Sequence, residues 1–132
     1  MNEVLKDFKV LAVDDNPKNI QVIGSILMEA NYEVGFAMDG KQALELLSES
    51  KDYDLVLLDV NMPVMNGFET CRKIRENEAT KKLPVLIITA LRSESDSASA
   101  SACGANEFIV KPIDGQHLAK RLRYHLGSPF KL

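Results

Sequence analysis

The chain has 132 residues, of which 45% are hydrophobic and 27% charged, and its formal net charge is −3. This length and composition are typical of one ordinary globular domain, and the acidic balance provides neither the general basic field of a nucleic-acid binder nor a polybasic membrane patch. We predict a cytoplasmic protein for three reasons. No apolar run approaches the ~20 residues of a membrane span, and no signal-peptide core is visible. The cysteines are also few, which is typical of a reducing compartment.

Five short apolar runs alternate with helix-length segments along the chain. The runs are rich in β-branched residues, which favours strands buried on both faces, and they predict strands over 8–13, 33–37, 54–58, 83–88 and 107–110. A helical pattern follows each run, and the first begins at Pro17, where the missing N–H costs nothing. Five strands that are each followed by a helix predict a parallel sheet with helices on both faces.

The fourth predicted helix, over 93–103, has an unusual composition. Its serines alternate with small or acidic residues, and no large apolar anchor accompanies them. Serine favours caps and turns over helix interiors. We therefore predict a thinly anchored, mobile helix, with an ordinary small-residue helix packed closely on the sheet as the alternative.

Polar side chains stand at the carboxyl ends of four of the five predicted strands. They are Asp14 and Asp15 after the first strand, Asp59 after the third, Thr89 after the fourth and Lys111 after the fifth. In open parallel sheets, ligands bind outside these ends, near the point where the strand order reverses. If the first and third strands are neighbours, three carboxylates meet a hydroxyl and an ammonium group there.

This combination of groups favours phosphoryl transfer. Oxygen-only ligands suit Mg²⁺, and an aspartate carboxylate can attack phosphorus to form an aspartyl phosphate. A lysine and a threonine can then hold the phosphoryl oxygens, since the protein contributes mainly position and charge to such a transfer. The sequence shows no glycine-rich phosphate loop, HExxH motif or Ser-His-Asp arrangement, so those mechanisms have no support.

The motifs around these residues resemble the receiver domain of two-component response regulators. The matching segments are Val13-Asp14-Asp15-Asn16, the run from Leu57 to Gly67, Ile88-Thr89-Ala90, and the run from Gly104 to Pro112. Order and spacing fit from about residue 8 to about residue 126, so residues 1–132 are expected to form one receiver domain, with 127–132 as its end or the start of a linker. The resemblance implies a flavodoxin-like fold, a doubly wound five-stranded parallel sheet of order 2-1-3-4-5.

The resemblance also implies a role for each acidic residue. Asp59 would be the phosphoacceptor, taking a phosphoryl group from a sensor histidine kinase or a histidine phosphotransfer protein. Asp15, Asp59 and the main-chain carbonyl of Asn61 would ligate Mg²⁺ directly, and Asp14 would act through a bound water.

The remaining site residues follow from the same resemblance. Thr89 and Lys111 would hold the phosphoryl oxygens, and Lys111 would pair with Asp59 before transfer. Thr89 and Phe108 would be the switch residues, and Lys111-Pro112 would be a cis peptide. Movement of the two switch residues would repack the face formed by the fourth helix, fifth strand and fifth helix. An output domain, a partner or a second copy could bind this face.

Three functions remain to be distinguished. The first is a phosphorylation-dependent signalling switch that catalyses only its own phosphotransfer and dephosphorylation. The second is a Mg²⁺-dependent phosphatase that uses an aspartyl phosphate; it requires an Asp two residues after the nucleophile, where this chain has Asn16 and Asn61. The third, a phosphate-independent binding module, is disfavoured because the acidic set is intact.

Four further residues carry simpler predictions. Cys71 and Cys103 are expected to be small core residues. His117 and His125 are expected to be solvated or partly packed on the last helix.

Overall fold

The computed structural model describes residues 6–50, 52–60, 65–89, 102–126 and 130–131. Its strands are β1 (Lys6–Asp7), β2 (Lys9–Val13), β3 (Glu33–Ala37), β4 (Leu55–Asp59), β5 (Val85–Thr89), β6 (Glu107–Val110) and β7 (Phe130–Lys131), and its helices are α1 (Pro17–Glu29), α2 (Gly40–Glu49), α3 (Gly67–Glu76) and α4 (Gly115–Leu126). None of these helices, within the described part of the chain, has the length and apolar character needed to cross a membrane.

Five of the strands form one parallel sheet in the order β3-β2-β4-β5-β6. Counted along the chain among these five strands, the order is 2-1-3-4-5. The predicted doubly wound, flavodoxin-like fold is therefore confirmed. The order reverses between β2 and β4, which are neighbours with Val13 opposite Leu58, and this pairing brings the residues after β2 next to the end of β4.

The sheet separates two hydrophobic cores. Successive strand residues point to opposite faces, so Leu11 packs with α2 and α3 on one side whereas Val10 packs with α1 and α4 on the other. Strands β4 and β5 are buried along their whole length because both faces are covered. This double burial explains why the strands read as apolar runs without alternation.

Capping side chains start the first three helices close to the strand ends. Asn16 accepts hydrogen bonds from the backbone N–H groups of Lys18 and Asn19, and Asp39 accepts one from the N–H of Gln42. Asn66 and Glu69 form a reciprocal capping box at α3. Such caps satisfy N–H groups that have no partner within the helix.

Several predicted boundaries differ from the structure. The strands predicted over 54–58 and 83–88 lie at Leu55–Asp59 and Val85–Thr89, so Asp59 and Thr89 are the last residues of their strands rather than the first residues after them. A short antiparallel pair, β1 with β7, was not predicted. The helix predicted over 93–103 lies outside the described residues, except for Ala102 and Cys103.

Candidate functional site

Three carboxylates meet at the carboxyl edge of the sheet, where its strand order reverses. The side chains of Asp14, Asp15 and Asp59 each offer an oxygen atom within 4.8 Å of the others; this set is called the acidic cluster below. Asp14 and Asp59 are only 1% and 3% exposed, whereas Asp15 is exposed. Burial of two negative charges beside a third is costly unless a cation balances them.

Asp14 has one satisfied and one unsatisfied oxygen. Its Oδ1 accepts a hydrogen bond from the Asn16 N–H at 2.9 Å. Its Oδ2 is buried and has no hydrogen-bond partner among the described residues. A buried carboxylate oxygen without a donor, in a set that offers only oxygen ligands, fits a hard divalent cation such as Mg²⁺.

Lys111 provides the positive charge next to this cluster. Its Nζ lies 2.7 Å from Oδ1 of Asp59. The backbone positions this side chain, because the N–H of Lys111 donates to the Thr89 carbonyl at 2.7 Å and so extends the pairing of β6 with β5. Burial raises the pKa of Asp59, the charges of Asp14 and Asp15 raise it further, and Lys111 acts in the opposite direction. The negative charge of the cluster is therefore only partly balanced by the lysine.

The other predicted residues surround the pair. Thr89 is buried at the end of β5, one residue beyond Ile88, which is the partner of Asp59. The Lys111-Pro112 peptide bond is cis. Phe108 lies on the edge strand β6 and is 37% exposed, so its side chain is turned partly outward. Asn61 lies outside the described residues.

Gly67, the first residue of α3, lies directly against the main chain of Asp59. A Cβ atom at Gly67 would overlap the main-chain carbonyl oxygen of Asp59, and the Gly67 N–H bonds to the Val60 carbonyl at 3.0 Å. Gly67 belongs to one of the matching sequence motifs, but the sequence alone assigned it no role. The Asn-Gly pair at the start of α3 is the feature of the sequence that could have drawn attention to Gly67. Only the folded structure shows the overlap that a side chain at this position would cause.

Arg75 is a second residue that the sequence did not single out. Its guanidinium group donates to the carbonyl of Gly104 at 2.8 Å, to the carbonyl of Leu83 at 2.7 Å and to Oδ1 of Asn106 at 2.7 Å. The same Asn106 oxygen accepts from the N–H of Val85 at 2.8 Å. Arg75 thus holds the turn that leads into β6, the strand that carries Phe108 and ends next to Lys111.

The predictions for the histidines and cysteines can be checked directly. Cys71 and Cys103 are buried, as predicted. His125 is partly packed, since its ring nitrogen lies 2.8 Å from Glu107, whereas His117 is exposed. Glu107 also receives two hydrogen bonds from Arg121, at 2.6 and 2.7 Å, so Arg121 links α4 to β6.

Comparisons with known proteins agree with this geometry. The model of the response regulator receiver domain family matches residues 10–123. Response regulator PleD of Caulobacter vibrioides is 40% identical over 115 residues, which are 87% of this chain and 25% of PleD. Response regulator ArlR of Staphylococcus saprophyticus is 41% identical over 115 residues, which are 87% of this chain and 50% of ArlR. The chain therefore spans about a quarter to a half of the length of these curated relatives.

Solved structures show the same fold. Chemotaxis protein CheY4 of Vibrio cholerae has a TM-score of 0.86 and 37% identity, over 92% of this chain and 100% of that one. The receiver domain of sensor histidine kinase PA1611 from Pseudomonas aeruginosa has a TM-score of 0.85 and 31% identity, over 93% of this chain and 100% of that one. With its sheet order, its acidic cluster and the family match over most of its length, the chain belongs to the response regulator receiver domain family.

Proposed function

We propose that this chain is a phosphorylation-dependent signalling switch in which Asp59 accepts a phosphoryl group from a sensor histidine kinase or a histidine phosphotransfer protein. One observation carries the proposal. The buried Asp59 side chain shares its pocket with two further carboxylates, within 4.8 Å, and with the Lys111 ammonium, at 2.7 Å. That arrangement provides a nucleophile, a cation site and a positive charge for the incoming phosphoryl oxygens.

The cofactor proposed for the site is Mg²⁺. Asp15, Asp59 and the main-chain carbonyl of Asn61 would hold it directly, and Asp14 through a water. The solved structure of the PA1611 receiver domain has a magnesium ion coordinated in the active site cleft of that protein, which supports the same cation here. When bound, Mg²⁺ offsets the negative charge of the carboxylates and of the phosphoryl group.

The transfer itself requires little proton chemistry from the protein. An oxygen of Asp59 attacks phosphorus, the new P–O bond forms, and the P–N bond to the donor imidazole breaks. The electron pair of that bond stays on the imidazole nitrogen, which takes a proton from water. Lys111 exchanges its partner from the Asp59 carboxylate to a phosphoryl oxygen, and the hydroxyl of Thr89 donates to another.

The response to phosphorylation is assigned to Thr89 and Phe108. Movement of Thr89 toward the phosphoryl group leaves space behind it, and the partly exposed Phe108 ring turns inward to fill that space. The face formed by β6 and α4 is then repacked, which is a local charge event that biases a two-state element. An output domain, a partner or a second copy would bind that face.

The family match supports a limited activity for this domain. The receiver domain is a regulatory domain, which favours a switch over the phosphatase alternative, and catalysis is limited to phosphotransfer and dephosphorylation at Asp59.

Residues 1–132 form the domain, with a core over about 8–126, and a separate output domain is proposed because PleD extends well beyond the matched region. The cytoplasmic location stays a prediction.

Incubation with Mg²⁺ and acetyl phosphate tests the proposal. The expected result is the mass of one added phosphoryl group on the intact protein, with the adduct lost at high pH and retained in acid, as an acyl phosphate requires. Asp59→Asn should show no adduct, whereas the matched control Asp52→Asn, at an exposed aspartate away from the site, should behave like the unchanged protein. An equal adduct on Asp59→Asn, or steady release of phosphate without any adduct, would contradict the proposal.

A further inference from the structure

Two cysteines that are far apart in the sequence meet in the core between α3 and the turn before β6. Cys71 is 0% and Cys103 is 2% exposed, and both belong to the hydrophobic core that lies under α2 and α3. The Sγ atom of Cys71 donates to the carbonyl oxygen of Cys103 at 3.3 Å. The Cys71 sulfur therefore lies directly against the main chain of Cys103, and each thiol shifts the pKa of the other.

We propose that Cys71 and Cys103 are an oxidation site, a dithiol that hydrogen peroxide or a related small peroxide converts into a reversible disulfide bond within one chain. A disulfide requires two Cα atoms within about 7 Å and side chains that point toward each other. The 3.3 Å contact of the Cys71 sulfur with the Cys103 carbonyl oxygen places the two residues close enough for that approach.

The surroundings of the pair give the two cysteine sulfurs different roles in the oxidation. A hydrogen bond from the Cys71 thiol lowers the pKa of Cys103, with burial acting against it and with the Ala105 N–H and the positive charge of Arg72 assisting. The hydrogen bond to Cys103, together with burial, raises the pKa of Cys71. Because the thiolate is the nucleophile, Cys103 is the sulfur that reacts first with the peroxide.

The reaction balances with the peroxide as the only co-reactant. The Cys103 thiolate attacks one peroxide oxygen and breaks the O–O bond, which leaves a sulfenic acid on Cys103 and releases hydroxide. The sulfur of Cys71 then attacks the sulfenic sulfur, the S–O bond breaks, and the departing hydroxide takes the Cys71 proton to become water. In total, two thiols and one hydrogen peroxide give one disulfide and two waters.

The position of the bond gives it a structural consequence. The turn that starts at Cys103 is already tied to α3 by the hydrogen bonds of Arg75 to Gly104 and Asn106. A disulfide adds a covalent link from the same helix to the same turn. If the turn moves when Asp59 is phosphorylated, as the proposed function requires of the neighbouring face, the link would restrict that movement.

Peptide mapping of the folded chain tests the proposal without any phosphorylation, so its failure and that of the proposed function are distinguishable. After exposure to hydrogen peroxide and blocking of free thiols, trypsin digestion without reductant should give one linked pair of peptides, 52–72 with 93–120. Dithiothreitol should separate them. The oxidised monomer should melt about 5–10 °C above the reduced one, because the bond constrains the unfolded chain.

Two single variants separate the roles of the sulfurs. Cys71→Ser should accumulate a sulfenic acid on Cys103 that dimedone traps, whereas Cys103→Ser should give little dimedone adduct under the same conditions. Free thiols after prolonged peroxide exposure, links between two chains only, or a lower melting temperature after oxidation would each overturn the proposal. If a variant does not fold, the mapping of the unchanged chain decides alone.

Discussion

Replacement of Asp14 by asparagine should stabilise the metal-free protein. The Asp14 carboxylate is buried, and one of its oxygens lies within 4.8 Å of an oxygen of Asp15 and an oxygen of Asp59. At an effective dielectric constant of about 20, two like charges at that distance repel by about 3.5 kcal/mol. Lys111 neutralises part of the charge on Asp59 and water screens Asp15, so the net gain should be about 1–2 kcal/mol. The amide oxygen of asparagine can keep the hydrogen bond from the Asn16 N–H.

Urea unfolding, followed by far-ultraviolet circular dichroism, measures this change in EDTA and in excess Mg²⁺. In EDTA, Asp14→Asn should have the higher free energy of unfolding. Addition of Mg²⁺ at about 100 times its dissociation constant should stabilise the unchanged protein by about 2–3 kcal/mol. The variant should gain much less, since residue 14, which would hold the ion through a water, has lost its negative charge. Asp52→Asn, at an exposed aspartate, is the matched control. A variant that is less stable in EDTA, or that gains as much from Mg²⁺ as the unchanged protein, would refute the electrostatic reasoning.

Three further predictions concern the surroundings of the site. Arg75→Ala removes three hydrogen bonds of a charged group and should lower the free energy of unfolding in urea by about 2–4 kcal/mol. The control Arg72→Ala, at an exposed position on the same helix, should change that free energy by less than about 0.5 kcal/mol. Equal effects of the two variants would contradict the proposed role of Arg75. Gly67→Ala should cost about 1–3 kcal/mol, because its Cβ would overlap the Asp59 carbonyl, and a variant as stable as the unchanged protein would show that the loop relaxes freely. Burial tends to raise the pKa of Glu107, but hydrogen bonds from Arg121 and His125 hold this pKa below the usual value of 4.5. The ionised Glu107 side chain therefore stabilises the protein above pH 4.5, and this stabilisation is lost as the pH falls below 4.5. Glu107→Gln should therefore be less stable than the unchanged protein near pH 7, and the difference should shrink as the pH falls below 4.5. A difference that stays constant with pH would argue against the ion pair.

The sequence predicted the order and type of most elements correctly because both signals are local. Strands such as Leu55–Asp59 are apolar throughout since they are covered on both faces, and helices begin at capping residues such as Asn16 that the chain itself supplies. The strand boundaries moved by one or two residues because the ends of ladders depend on the neighbouring strand. The hydrogen bond of Val56 to the Pro84 carbonyl, for example, is set by the pairing of β4 with β5.

The meeting of Asp14, Asp15, Asp59 and Lys111 was also predictable, since parallel strands bring their carboxyl ends to one edge. The arrangement of their atoms was not. The 2.7 Å contact of Lys111 with Asp59 and the meeting of Cys71 with Cys103 join residues separated by tens of positions. Such contacts depend on sheet register and side-chain direction, which follow from the packing of the whole chain rather than from any local segment.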